Sequence, residues 1–471
     1  MERDQDRDRD RDQNRDQNRD TDLERDQDRD RDQDRDRDQD QNRNRDTDLE
    51  RGPGSGSGPG PGPEPGHGSG AGPGPGTGTG TQDQDRDRDQ DRDRDRDQDQ
   101  DQDQDQDRDR DRDRDQNRAR HRELCPSPER PRARPGPTRW GICSAGAISH
   151  DFVLALGTLP RSEHTVAAVA ARDLGRAEAF ARRLGVPRAN GSYEELARDP
   201  ELDVVYVGTV NPAHLPLGLL FLRRGRPVLM EKPMALGARE VAQLVGTAQE
   251  KGVFLMEGFW TRFFPAWRRL RSLARGGSLG SPLVLRGRLG FALAGVPRLR
   301  LPGLGGGALL DLGGYGLQMA TALLGGGQPP TRLTAHGTLH PTGVDESVSV
   351  SLQFPGGGLA SLLFSMAAEL PGGAALGGPR GWAELPSHMN CPTELLWGGR
   401  RESFPLPRPP ARPPNFPHGA GLRYEAQHVR ECLLQGLTES PEMPLAESEL
   451  IARLLDQARA QGGRGAGRSD L

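Results

Sequence analysis

The chain has 471 residues, 64 of them basic and 69 acidic, and its length alone would suggest about three domains. A sharp change of composition near residues 134–138 excludes that division, because the first third holds almost no aliphatic side chain. No run reaches the ~18 consecutive apolar residues of a membrane span and no basic-then-apolar leader opens the chain, so a cytoplasmic protein with no membrane partner is expected.

Residues 1–137 are expected to form a disordered low-complexity tail. Arg-Asp and Gln-Asp repeats, interrupted by a Gly/Pro/Ser block, cannot bury enough apolar surface to offset the entropy of ordering. The tail is net acidic by about twelve and the remainder net basic by about seven. Alternating signs cancel the field that phosphate binding requires, so nucleic acid is not an expected partner. The tail is read first as a translated simple repeat, since the next methionine after Met1 is Met230, inside the folded part. An interaction segment is the other reading. Four widely spaced cysteines, Cys125, Cys143, Cys391 and Cys432, lack any Cys-x-x-Cys pairing, which fits reduced thiols rather than a disulfide frame or zinc site. No metal is expected.

From Trp140, short apolar runs alternate with amphipathic segments of about ten to fifteen residues, the pattern of repeated βαβ units around a parallel sheet. Strands are expected at Trp140–Ser144, Val166–Ala171, Val204–Gly208, Pro227–Met230 and Val253–Glu257. Helices are expected near Ile148–Leu159, Gly175–Leu184, Leu215–Arg224 and Arg239–Gln249. Right-handed crossovers would then line up the carboxyl ends of the strands along one edge, where ligands bind in such sheets. This nucleotide-binding domain is expected over residues 138–260.

The first edge reads Gly141-Ile142-Cys143-Ser144-Ala145-Gly146-Ala147-Ile148-Ser149. In a G-x-G-x-x-G frame the three positions are Ser144, Gly146 and Ser149, so only the middle glycine remains, and small residues there equally serve tight packing. Placement after the first strand favours a phosphate at the helix amino terminus. At the second edge Arg172 precedes Asp173, about 25 residues beyond Gly146. A guanidinium can take a 2′-phosphate, which favours NADP, while Asp173 keeps NAD open. An exposed ion pair is the plainer alternative. The third edge carries Thr209, Asn211 and His214, the fourth Glu231-Lys232-Pro233, and the fifth Glu257 followed by Trp260 and Arg262. Only Lys232 and Lys251 among the 64 basic residues are lysine. A compact ammonium kept where arginine is otherwise written fits a fixed proton-handling charge, against the alternative of a solvated surface lysine.

Beyond about residue 280 the period changes to alternation. Strands are expected at Ser281–Leu289, Thr331–Leu339, Glu346–Phe354, Leu359–Met366, Gly381–Leu385 and Thr393–Trp397, giving an α+β domain over 261–465 with an open, mostly antiparallel sheet. Helices at about Arg423–Leu434 and Glu447–Arg459 follow. The glycine- and leucine-rich segments Gly290–Leu304 and Pro371–Gly378 are read as loops.

The edges Thr209-Val210-Asn211-Pro212-Ala213-His214 and Glu231-Lys232-Pro233, with Asp311-Leu312-Gly313-Gly314-Tyr315, resemble the glucose-fructose oxidoreductase and inositol dehydrogenase (Gfo/Idh/MocA) family. Tyrosine where most members have histidine, with Trp260-Thr261-Arg262-Phe263-Phe264-Pro265, Gly191-Ser192-Tyr193-Glu194-Glu195-Leu196-Ala197 and Tyr424-Glu425-Ala426-Gln427-His428-Val429-Arg430-Glu431-Cys432, brings the chain close to mammalian members that oxidise trans-dihydrodiols. The likeness spans about Trp140 to Leu455. It implies an NADP-dependent dehydrogenase, with NAD less favoured, acting on trans-1,2-dihydrodiols of aromatic hydrocarbons and on aldoses such as D-xylose. It further implies a homodimer joined through the carboxy-terminal sheet. The catalytic residues would be Tyr315, Lys232 and Asp311. The cofactor would lie against Ser144, Gly146, Ile148, Arg172, Asp173, Thr209, His214, Glu231, Lys232, Trp260 and Arg262. If Asp311 opens a helix, Asp311 and Tyr315 share a face, and the Lys232 ammonium would help a phenol of ordinary pKa near 10 to ionise. Asn211 stands where close relatives carry histidine, which leaves substrate identity less secure than the chemistry. A nucleotide-binding redox sensor without turnover is the alternative, and the intact Lys232, Asp311 and Tyr315 set speaks against it. A protein acting through its Arg-Asp tail is the third reading.

Overall fold

In a computed structural model of the chain, residues 136–293, 295–408 and 412–462 are described. The expectations for the tail lie outside them, apart from its last two residues.

The first sheet is built by β1 (Thr138–Cys143), β2 (His164–Ala170), β3 (Ala189–Asn190), β4 (Val204–Val207), β5 (Val228–Glu231) and β6 (Leu255–Gly258). All pairs are parallel, in the order β3-β2-β1-β4-β5-β6. The crossovers are α1 (Ala147–Leu156), α2 (Leu174–Leu184), the short α3 (Tyr193–Arg198), α4 (His214–Arg223) and α5 (Ala238–Lys251). Helices on both faces bury the central strands, which is why these read as unbroken apolar runs. Local chemistry sets the helix ends: Asp173 and Ser192 accept from the amides of Arg176 and Glu195 to cap α2 and α3, and Gly185 closes α2 with φ +70°.

After α6 (Pro265–Arg275) the second sheet begins at β7 (Val284–Gly290). A helical stretch follows as one π turn (Leu309–Gly313), the regular helix α7 (Gly314–Ala320) and another π turn (Thr321–Gly325). Then come β8 (Arg332–Leu339), β9 (Asp345–Gln353), β10 (Leu359–Ser365), β11 (Leu370–Gly378), β12 (Gly381–Leu385), β13 (Glu394–Trp397) and β14 (Arg400–Ser403). Their order is β14-β13-β12-β11-β7-β10-β9-β8, antiparallel except for the β7–β10 pair. Val348, Val350 and Leu352 face the helices, whereas Val284, Leu359, Leu363 and Trp382 are exposed.

Pro371–Gly378, expected as a loop, is instead most of β11, in the middle of the sheet between β7 and β12. Small residues suit its crowded course: a Cβ on Gly378 would stand 2.3 Å from the carbonyl oxygen of Leu279. Two helices then return to the first sheet, α8 (Leu422–Leu434) and α9 (Leu445–Gly462). In α9, Asp456 accepts from the Ala238 amide at 2.9 Å and Gln461 from the Ala335 amide on β8 at 3.0 Å, so one helix ties both sheets together.

Candidate active site

Between β1 and α1, Ser144 takes the position of the first fingerprint glycine with φ +109°. A side chain in that region costs on the order of 1–3 kcal/mol, and Ser144 is held there through its amide, bonded to the Ala170 carbonyl at 2.9 Å. Helix α1 has no side-chain cap and no acidic residue in its first turn, so its leading amides are free for an anion. Beside them the hydroxyls of Ser149 and Thr209 are buried without a partner. Such orphaned donors, a capless helix and a glycine at Gly146 fit a dinucleotide pyrophosphate; Ile148 packs half-buried against the core next to them.

At the next edge the Asp173 carboxylate is engaged as the cap of α2, bonded to the Arg176 amide at 2.8 Å. Arg172 is exposed, and so is Arg176, with the Tyr193 phenol near both. Arg176 was not singled out in the sequence, although it lies one helical turn from Arg172.

Strand β5 ends at Glu231 and delivers Lys232 toward the π turn. The Lys232 Nζ donates to the backbone carbonyl of Asp311 at 2.8 Å and stands 3.5 Å from its Oδ1. The same ammonium lies over the Tyr315 ring, 5.1 Å from its centroid. Asp311, Lys232 and Tyr315 are thus brought together. Burial alone would raise the Asp311 pKa, but the charges of Lys232 and Arg298 outweigh it and hold the carboxyl below its usual range. Burial first, then the charges of Glu231 and Asp311, push the Tyr315 phenol well above its ordinary value. Trp260 Nε1 is buried without a hydrogen-bond partner, yet near enough to the phenol to oppose that rise.

The placement of this turn depends on Asp345, which sequence reading missed. Its carboxylate accepts from the Leu309 amide at 2.6 Å and caps the π turn. Gly307, at φ +114°, leaves room for it, since a Cβ there would lie 2.4 Å from Asp345 Oδ1. A lone aspartate on a distant strand carries no local signal; the Gly305-Gly306-Gly307 run was the visible half of the contact.

Three of the residues expected at the cofactor also have partners within the protein. His214 is fully buried, with Nδ1 2.8 Å from the Pro233 carbonyl and Nε2 3.1 Å from that of Thr209, so it bridges two edges. Glu231 accepts from the Tyr206 hydroxyl at 2.7 Å and from the Lys232 amide at 3.2 Å. Arg262 donates to the Gln318 side chain at 3.0 Å and to the Glu442 carbonyl at 2.8 Å, and it pairs with Glu447. Burial and distant partners of this kind are invisible in the sequence. Two more buried carboxyls lie close by. Burial pushes Glu257 up to about 7, with Met234 donating its amide at 2.8 Å. Glu425 has neither oxygen paired, and burial followed by the Glu231 charge pushes it well up. Among the described residues no group of three or more His, Cys, Asp or Glu could hold a metal, and no helix is long and apolar enough to cross a membrane.

Residues 138–259 match the family described as an oxidoreductase family with an NAD-binding Rossmann fold, and residues 267–384 match the GFO/IDH/MocA C-terminal domain. The chain is 47% identical over 326 residues to the trans-1,2-dihydrobenzene-1,2-diol dehydrogenase of Xenopus tropicalis, covering 69% of this chain and 98% of that protein. It is 50% identical over 325 residues to the protein of the same name from Danio rerio, covering 69% and 97%. Among solved structures, an aldose-aldose oxidoreductase from Caulobacter crescentus complexed with glycerol has the same fold, with a TM-score of 0.60 at 22% identity over 70% of this chain and 98% of that one. A 3-ketoreductase from Actinomadura kijaniata in complex with NADP and TDP-benzene gives 0.58 at 24% identity over 69% and 98%.

Proposed function

The chain belongs to the GFO/IDH/MocA family of oxidoreductases, and from that premise we propose that this dehydrogenase uses NADP to oxidise trans-1,2-dihydrodiols of aromatic hydrocarbons to catechols, and aldoses such as D-xylose to lactones. The observation that carries the reading is the Lys232 ammonium held between Asp311 and the face of Tyr315. When bound, the oxidised nicotinamide would supply the hydride acceptor and a positive charge that favours the phenolate form of Tyr315. The rest of the work falls to side chains. Lys232 has N–H groups beyond the one given to Asp311 and would hold the substrate oxygen with them. Tyr315, once its own proton has passed to solvent, would then take the hydroxyl proton as the phenolate while hydride leaves the same carbon for the nicotinamide. Asp311, kept ionised by its two cations, holds the Lys232 ammonium in place.

Preference for NADP is supported by the engagement of Asp173 as a helix cap, with Arg172 and Arg176 exposed beside it. A homodimer through the second sheet is supported by the exposed Val284, Leu359, Leu363 and Trp382. The functional test is the formation of reduced cofactor by the purified full chain, with NADP or NAD, on trans-1,2-dihydrobenzene-1,2-diol and on D-xylose. Turnover of the diol with NADP supports the proposal. Tight NADP binding without turnover on either substrate would contradict it and favour a sensor.

A further inference from the structure

Arg298 sits on a helical turn, Pro297–Arg300, in the segment between β7 and the π turn that bears Asp311. Its Nη1 lies 3.2 Å from Asp311 Oδ1, the same oxygen that stands 3.5 Å from Lys232 Nζ. One carboxylate oxygen is therefore shared by two cations, Lys232 mostly buried and Arg298 with 44% of its side chain exposed. The segment does not need this ion pair to stay in place. Leu299 is buried in the core, the Arg300 carbonyl accepts from Thr342 at 2.5 Å, and the Gly305 carbonyl accepts from Asn211 Nδ2 at 3.2 Å across from the first sheet. An arginine whose segment is fastened on both sides leaves its contact with Asp311 free for another role.

We propose that Arg298 is a positioning residue for the oxidation: by sharing Asp311 Oδ1 it keeps the carboxylate from drawing Lys232 Nζ wholly to itself, which leaves an ammonium N–H for the substrate oxygen. This rests on the reading of Lys232 and Tyr315 as the proton-handling pair. The groups that face Tyr315 are Glu231 from β5, Asp311 from its own helical stretch, Cys391, Lys232 and Trp260. Removing the Arg298 charge leaves Asp311 opposed by Lys232 alone, so the phenol that the Asp311 charge already disfavours becomes harder to ionise. The alternative is an exposed ion pair of no catalytic consequence, which is the usual fate of such pairs.

The contact is a single N–H to one oxygen rather than a fork, so lysine should replace it. Steady-state oxidation of the diol with NADP is measured across the pH range for the full chain, Arg298→Leu, Arg298→Lys, Tyr315→Phe and Lys232→Met. For Arg298→Leu the expected result is a fall in kcat of about tenfold, a KM for NADP within about twofold, and an ascending limb of kcat displaced to higher pH. Arg298→Lys should restore most of the rate and the original profile, which a merely structural role would not require. Unchanged kcat and pH profile in Arg298→Leu, with Tyr315→Phe and Lys232→Met inactive, would overturn this proposal alone. Activity retained in Tyr315→Phe and Lys232→Met would overturn both it and the acid-base reading beneath it.

Discussion

The two sheets treat their faces in opposite ways. Strands β4, β5 and β6 are buried along their whole length, whereas β10 alternates exposed Leu359, Ser361 and Leu363 with buried Ala360, Leu362 and Phe364. Where both faces are covered, a charge inside must find partners, and Arg262 and Glu231 find them at once. Lys232 is the exception at the edge: part of its hydrogen-bonding capacity is left over, which is the ground for proposing the chemistry there. On the second sheet the covered face supports the helical stretch that brings Tyr315, and the open face carries no such burden.

The largest effect expected from this contrast is on stability, at Arg262. Arg262→Met strands Glu447 in the interior, which should cost about 3–5 kcal/mol, read as a lower denaturant midpoint. A loss of under about 1 kcal/mol with weakened cofactor binding would return Arg262 to the ligand role. Next is Arg172→Ala at the exposed edge, which should raise the KM for NADP by about ten- to a hundredfold and leave that for NAD nearly unchanged. An equal loss for both cofactors would show that Arg172 does not read the 2′-phosphate.

Buried Glu257 predicts a pH effect of on the order of 2 kcal/mol. Its folded pKa of about 7 lies above the ordinary carboxyl value of 4.5, so its contribution is full below the lower value and is lost as pH rises through about 7. Glu257→Gln should flatten that decline in a series of unfolding curves; an unchanged slope would assign it elsewhere, Glu425 being the next candidate. The smallest effect belongs to the open face. Leu363→Lys should change monomer stability by less than about 0.5 kcal/mol, yet shift the mass in light scattering from dimer to monomer. A monomeric parent chain would remove the dimer proposal.

Much of this contrast was legible beforehand. The central strands of the first sheet announce themselves as apolar runs, and Val348, Val350 and Leu352 as an alternation. Strand β11 did not, because its Gly and Ala residues give neither pattern, and β3 is only two residues long. The Asp311–Tyr315 spacing and the Lys232 strand end pointed to the site. What stayed hidden was whatever depends on a distant partner: Asp345 under the π turn, Arg298 on Asp311, and the internal engagements of His214 and Arg262. The raised phenol pKa of Tyr315 was also out of reach, since it comes from burial and from Glu231 on another strand.

The central claim is that Tyr315 moves the proton while Lys232 holds the oxygen. Tyr315→Phe removes one hydroxyl from a side chain that is 7% exposed, so the fold and NADP binding should survive. Titration with NADP and single-turnover oxidation of the diol, on the same purified preparation, separate binding from chemistry. The account predicts unchanged NADP affinity and a rate lower by about 10² to 10⁴. A near-normal rate with NADP bound would contradict it.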